Sequence, residues 1–226
     1  AQTASSNGDY ETAARCYAYV AGKGRENAYF FTARTQSLRM RMEPLLNAVP
    51  NDTEAIADLA EEYRQTLNDL GITTETAGIA KDLAHVQAFY LQLPDKAIAT
   101  LEAVLDIPAL YDRMAALCKL ELGDILVFQD NIWDASLLFS QVELDFKDDS
   151  FGHEAKFRNA RISYYAGDFD WAQAQLDALK ASTSKLISND AIDLSLLITD
   201  NYAMDTISEP MWLFAQADLL STQHRY

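Results

Sequence analysis

The chain has 226 residues, with 34 acidic against 18 basic side chains and only 8 glycines and 5 prolines. So few turn residues exclude the many-turned β-sandwiches and barrels, and a net charge of −16 excludes nucleic acid as the main ligand, because phosphate binding needs a basic stripe. Counts of 34 alanines and 28 leucines against 6 valines and 12 isoleucines make the class all-α. The acids are spread evenly, as on solvated helix faces. They disfavour docking on an anionic membrane surface, and no apolar run approaches the ~20 residues of a membrane span. Ala1 to Gly8 are small and polar, unlike a signal peptide.

Apolar spacing predicts helices over residues 9–22, 25–47, 52–70, 74–92, 94–106, 111–128, 131–147, 151–166, 168–181, 187–200 and 209–223. Asn51 followed by Glu54 forms a capping-box pattern ahead of Ala55 and Ile56. Pro94 and Pro210 suit the first turn of their helices, while Ser150 and Asp168 are placed to accept orphan amide hydrogens. Pro44 kinks or ends the helix over 25–47. Cys16 and Cys118 fall inside apolar helical patterns and read as small buried hydrophobes, not as a disulfide framework. The breaks at 182–186 and 201–208 are short for interdomain linkers. Residues 1–226 therefore read as one segment, with divergent helical pairs over 1–77, the most regular units over 78–181, and an extra helix plus a partial unit over 182–226.

Three turns align on a small residue in the helix that follows: Ala97, Ala135 and Ala172, 38 and 37 residues apart. Four residues after each stands Leu101, Phe139 or Leu176, and three further on Val104, Val142 or Leu179. Upstream lie Gly123 after Leu122, and Ala160 after Asn159. The unit is a helix, a tight turn and a second helix. Through Leu122-Gly123, Ala135, Phe139 and Val142 in one copy, and Ala160, Gly167-Asp168-Phe169, Ala172 and Leu176 in the next, it resembles the tetratricopeptide repeat (TPR). Gly8-Asp9-Tyr10 with Ala13 and Tyr17 resembles a turn and second helix, and Met211 to Tyr226 a first helix. The resemblance implies a right-handed α-solenoid of antiparallel helix pairs, here expected to be a piece of a longer one. The run from Lys119 to Lys180 also resembles repeat proteins of Bacteroidota envelopes, which implies a bacterial cell-envelope location.

His85, His153 and His224 stand in separate helices with no second histidine at helical spacing, so they read as solvent-facing or helix-start residues. The cysteines lack metal or redox spacing. Glu61 and Glu62 do not face each other on a helix, and Asp148-Asp149 falls in a loop, so neither forms an acid–base pair. Gly22-Lys23-Gly24 is too short for a phosphate loop, and no nucleophile elbow surrounds Ser182-Thr183-Ser184. No catalytic residue, cofactor or metal ligand emerges.

Aromatics recur on first helices: Tyr29-Phe30-Phe31, Phe89-Tyr90, Tyr164-Tyr165, and Trp212 with Phe214. Adjacent aromatics point about 100° apart on a helix, so one can enter the core while the other lines an inner surface; otherwise all are core. By the resemblance, such repeats bind peptides along the inner face of their first helices, here Asp82, Phe89, Asp124 and Glu154 together with Phe128, Phe157, Arg161, Tyr164 and Tyr165. The last five are expected to form the centre of a partner-binding groove, because an Arg in a buried stripe would need a partner. Asp82 and Asp124 occupy the turns where some family members place a basic clamp, so that activity does not carry over. The expectation is a non-enzymatic scaffold whose aromatic, acidic groove holds a basic or apolar protein segment. A helical enzyme or small-ligand pocket in 23–77 and 182–208 is the alternative, and a spacer with a self-filled groove is a third.

Overall fold

A computed structural model describes residues 1–180, 185–202 and 208–225. Ser182-Thr183-Ser184 lies outside the described residues. The fold is all-α, 78% helical, and holds no strand among the described residues. The described helices are α1 (Gln2–Ser6), α2 (Tyr10–Ala21), α3 (Phe30–Leu46), α4 (Thr53–Leu70), α5 (Ala77–Phe89), α6 (Pro94–Leu105), α7 (Asp112–Phe128), α8 (Ile132–Asp145), α9 (Ser150–Ala166), α10 (Phe169–Lys180), α11 (Lys185–Asn201) and α12 (Glu209–Thr222). None is long and apolar enough to cross a membrane.

Local chemistry explains where boundaries depart from apolar spacing. Helix α3 starts at Phe30 rather than residue 25 because Asn27 Oδ1 accepts the Tyr29 N–H at 2.9 Å and holds the preceding residues in a turn. Helix α5 starts after Thr76, whose hydroxyl donates to Gly71 O at 2.6 Å and accepts from Thr73 N at 2.8 Å. The cap of α4 is Asp52, not Asn51: Asp52 Oδ1 accepts the Ala55 N–H at 3.0 Å. Asn51 instead donates to Leu45 O and Leu46 O at the end of α3. At α9 the capping group is likewise Asp149, which accepts from Phe151 N at 3.2 Å, rather than Ser150. Asp168 caps α10 through Trp171 N at 3.3 Å, and Pro94 and Pro210 sit in first turns. Helix α3 passes through Pro44 and ends two residues later.

One turn recurs. Gly8, Asp130, Gly167 and His224 have φ of 77°, 71°, 83° and 55°. After each, the next N–H reaches back five residues: Asp9 to Ala4 O, Asn131 to Leu126 O, Asp168 to Ser163 O and Arg225 to Leu220 O, at 2.8–2.9 Å. A left-handed residue followed by that bond is the Schellman closure of a helix, and it carries α1, α7 and α9 directly into α2, α8 and α10.

The chain divides into two compact units, Ala1–Cys118 and Lys119–Tyr226, with the boundary inside α7. In the first, consecutive helices from α1 to α6 pack on one another, and α3 also touches α5. Ala13 and Ala14 of α2 bury against Met40 of α3, with Tyr10 and Tyr17 on the same arc. Cys16 lies off that arc and is exposed, which corrects its reading as a buried hydrophobe; Cys118 is buried. In the second unit α8, α9, α10 and α11 pack consecutively, and α9 also meets α11 and α12. Ala97, Ala135 and Ala172 are all fully buried, as are Leu101, Leu176, Val104, Val142 and Leu179, with Phe139 at 1%. Each large member of that set contributes about 1.5–3 kcal/mol by leaving water. Gly123 lets α7 approach α8 there, since a Cβ on it would lie 2.2 Å from Phe139 Cε1.

Candidate functional site: the groove along α3

The five residues expected to form a groove centre all lie in the second unit, and α12 covers much of that face. Tyr164 and Tyr165 are 0% and 1% exposed, so both aromatics are core, a correction to their place on an accessible stripe. The physical reason is that α9 is packed on two sides. Tyr164 faces the Phe169 ring of α10 at 6.0 Å, while Tyr165 Oη lies 3.3 Å from Thr222 Oγ1 of α12. Gln216 of α12 donates to Tyr165 O at 2.6 Å, and Trp212 sits so close to Gly167 that a Cβ there would be 2.7 Å from its ring. Arg161 is half-buried; it donates to Tyr165 Oη at 2.5 Å and stacks over that ring at 5.5 Å. Phe128 meets the His224 ring edge-on at 5.8 Å, and Phe157 is half-buried.

The acids mapped to the inner face are neutralised. Arg39 of α3 holds Asp82 of α5 through Nε at 3.0 Å and Nη2 at 2.7 Å. Arg158 of α9 holds Asp124 of α7 through Nε at 2.9 Å and Nη2 at 3.0 Å, and also pairs with Glu154. The ion-paired arginine of α9 is therefore Arg158, not Arg161. Its sequence signal was the Glu154–Arg158 spacing of one helical turn.

The first unit holds an open concavity. Helices α2 and α4 flank α3 and leave a groove of about 690 Å³, continued by a second of about 350 Å³; Ala18 and Arg34 line both. Small residues make the α2 wall: Ala14 and Ala18, then Ala21 and Gly22. Met40, Leu45 and Leu59 give an apolar lining. Arg34, Ser37 and Arg41 of α3 follow at helical spacing along the floor. Ser37 donates to Ala14 O of α2 at 3.3 Å. Arg34 Nη2 donates to Thr66 Oγ1 at 2.7 Å and lies 3.3 Å from Glu62 Oε1, and Arg41 Nη1 donates to Glu62 Oε2 at 2.6 Å. Two guanidiniums thus share one carboxylate.

The same place in the second unit holds a smaller cavity. There α8 and α10 flank α9, whose Lys156, Asn159 and Ser163 repeat the spacing of Arg34, Ser37 and Arg41, but the cavity is about 260 Å³. The Asn159 amide bridges the Ser136 and Ser140 hydroxyls at 2.9 and 3.1 Å. Gln175 donates to Ser163 Oγ at 2.9 Å, and Lys156 lies 3.5 Å from Glu143. Short polar side chains tie the flanking helices across α9, whereas long arginines over an alanine wall leave the first groove open. The sequence held part of this signal in the alanine and glycine spacing of α2 and in the irregular stretch 23–77. Among the described residues no group of His, Cys, Asp or Glu is arranged to hold a metal ion. The groove's chemistry is ion pairing along an apolar trough. Comparison with protein-family models, curated proteins and solved structures finds no match.

Proposed function

We propose that the chain is a non-enzymatic interaction module, a right-handed solenoid of antiparallel helix pairs of tetratricopeptide type, that holds a segment of a protein partner in the groove along α3. The carrying observation is the pair of joined concavities beside α3, set against the smaller cavity beside α9. The buried alanines at 97, 135 and 172 and the recurring Schellman turn support the repeat reading. The cover of α12 on Tyr165 and the burial of Tyr164 against α10 move the proposed site away from the aromatic stripe of α9.

Ala18 is exposed on α2 in the middle of the groove, so a larger side chain there fills the trough without entering the core. Segments selected from a displayed random-peptide library on the full chain should lose at least tenfold in affinity for Ala18→Trp, with an unchanged melting temperature. Unchanged affinity, or a library that yields no binder, would remove the groove from the account.

A further inference from the structure

Helix α12 rests on α9 and on the end of α7 by a narrow contact. Its buried side chains are Met211, Ala215, Leu219 and Gln223, four residues apart along a single stripe. On its other side Leu213, Phe214 and Leu220 are 55%, 54% and 41% exposed. An element that buries so few apolar side chains stands at the low end of local stability and opens ahead of the core. Helix α9 beneath it is buried on several faces, through Ala155, Ala160, Ile162 and Tyr164.

The seat carries its own recognition chemistry. Gln216 Nε2 donates to Tyr165 O at 2.6 Å, and Gln223 Nε2 donates to Val127 O at 2.9 Å. Both acceptors belong to the last turns of α9 and α7, where helix carbonyls lack intrahelical partners. The two glutamines are two helical turns apart, so one helix presents both on the same side. Tyr165 and Phe128 meet Thr222 and His224 there, and Arg161 stacks on the Tyr165 ring. Tyr and Arg are among the residues that dominate interface energies.

From this narrow contact over a built seat, we propose that α12 is a displaceable strap: it occupies in cis a helix-binding face of α9 and the end of α7, and a partner-protein helix carrying the same stripe takes that face when α12 lifts. The stripe is aliphatic, small and aliphatic at four-residue spacing, with glutamines at the places of Gln216 and Gln223. Helix α12 itself identifies this occupant, since the seat already holds a helix of that pattern. While α12 is down the partner competes with a tethered helix, and its apparent affinity falls with the fraction of molecules whose seat is free. The seat is built from other residues than the groove along α3, so neither reading depends on the other.

The test uses the full chain and a labelled peptide of residues 208–225, with binding read by fluorescence anisotropy. Ala215 is fully buried on the seated stripe of α12, so Ala215→Arg unseats that helix without altering α9 or α7. The expected result is that the peptide binds the Ala215→Arg chain roughly tenfold or more tighter than it binds wild type, and that a peptide bearing the same substitution binds neither. A folded Ala215→Arg chain that takes the peptide no better than wild type overturns the proposal. If that variant fails to fold, hydrogen exchange of the wild-type chain decides. Amides of α12 that exchange roughly tenfold or more faster than those of α9, through an opening of α12 alone, uphold the strap; α12 and α9 opening together at one rate make α12 part of the core and overturn it.

Discussion

Gly123 and Gly78 both lie inside helices, yet their surroundings predict opposite responses to alanine. Alanine in a helix interior is favoured over glycine by roughly 0.5–1 kcal/mol. At Gly78 a Cβ would meet nothing nearer than 3.9 Å, so Gly78→Ala should gain up to that amount. At Gly123 the same atom would lie 2.2 Å from Phe139 Cε1, and Phe139 is fully packed. Overpacking of this kind costs about 1–3 kcal/mol, which outweighs the propensity gain. Urea midpoints should move up for Gly78→Ala and down for Gly123→Ala. Tyr63 supplies a pH test. Burial pushes its phenol above the ordinary value of 10.0, with the Asp82 carboxylate adding to the rise. A raised folded value means the neutral phenol's contribution is complete below pH 10 and is lost as pH climbs beyond it. Wild type should therefore lose stability between about pH 10 and 11.5, and Tyr63→Phe should lose less. Equal losses in both proteins would show that the phenol is already solvated.

At the scale of elements, the seat of α12 on α9 decides what the aromatic stripe does. Tyr164 is fully buried, and truncating a buried aromatic to alanine costs about 3–5 kcal/mol. Arg161→Ala with Tyr164→Ala should therefore lower the melting temperature sharply, and Tyr164→Ala alone should account for most of the loss. A double variant with wild-type stability would mean that Tyr164 is not part of the core. Helix existence after α1, the anchoring alanines and the glycine turns were legible because they follow from apolar spacing and φ preference; the five-residue α1 was missed, being too short to show an apolar period. Cap identity was not, because Asp52 and Asn51 differ by one residue and only geometry tells which oxygen reaches Ala55 N. The candidate site was legible only in part. A stripe such as Phe157, Arg161, Tyr164 and Tyr165 has the same spacing whether it faces solvent or another helix, and α12, which covers it, comes from far along the chain.

For the molecule as a whole, charge and openness are distributed differently. The chain is strongly acidic, yet the floor of the trough beside α3 presents Arg34 and Arg41, while Lys156 in the corresponding place on α9 lines a smaller cavity crossed by amide and hydroxyl bonds. This local contrast, invisible in net charge, separates the two troughs. Hydrogen exchange followed with a library-selected peptide bound to the full chain locates the occupied trough. Helices surrounding an occupied trough open less often and exchange more slowly. Added protection is expected in α2, α3 and α4 with α8, α9 and α10 unchanged; protection confined to α9 and α12 would move the binding site to the aromatic stripe.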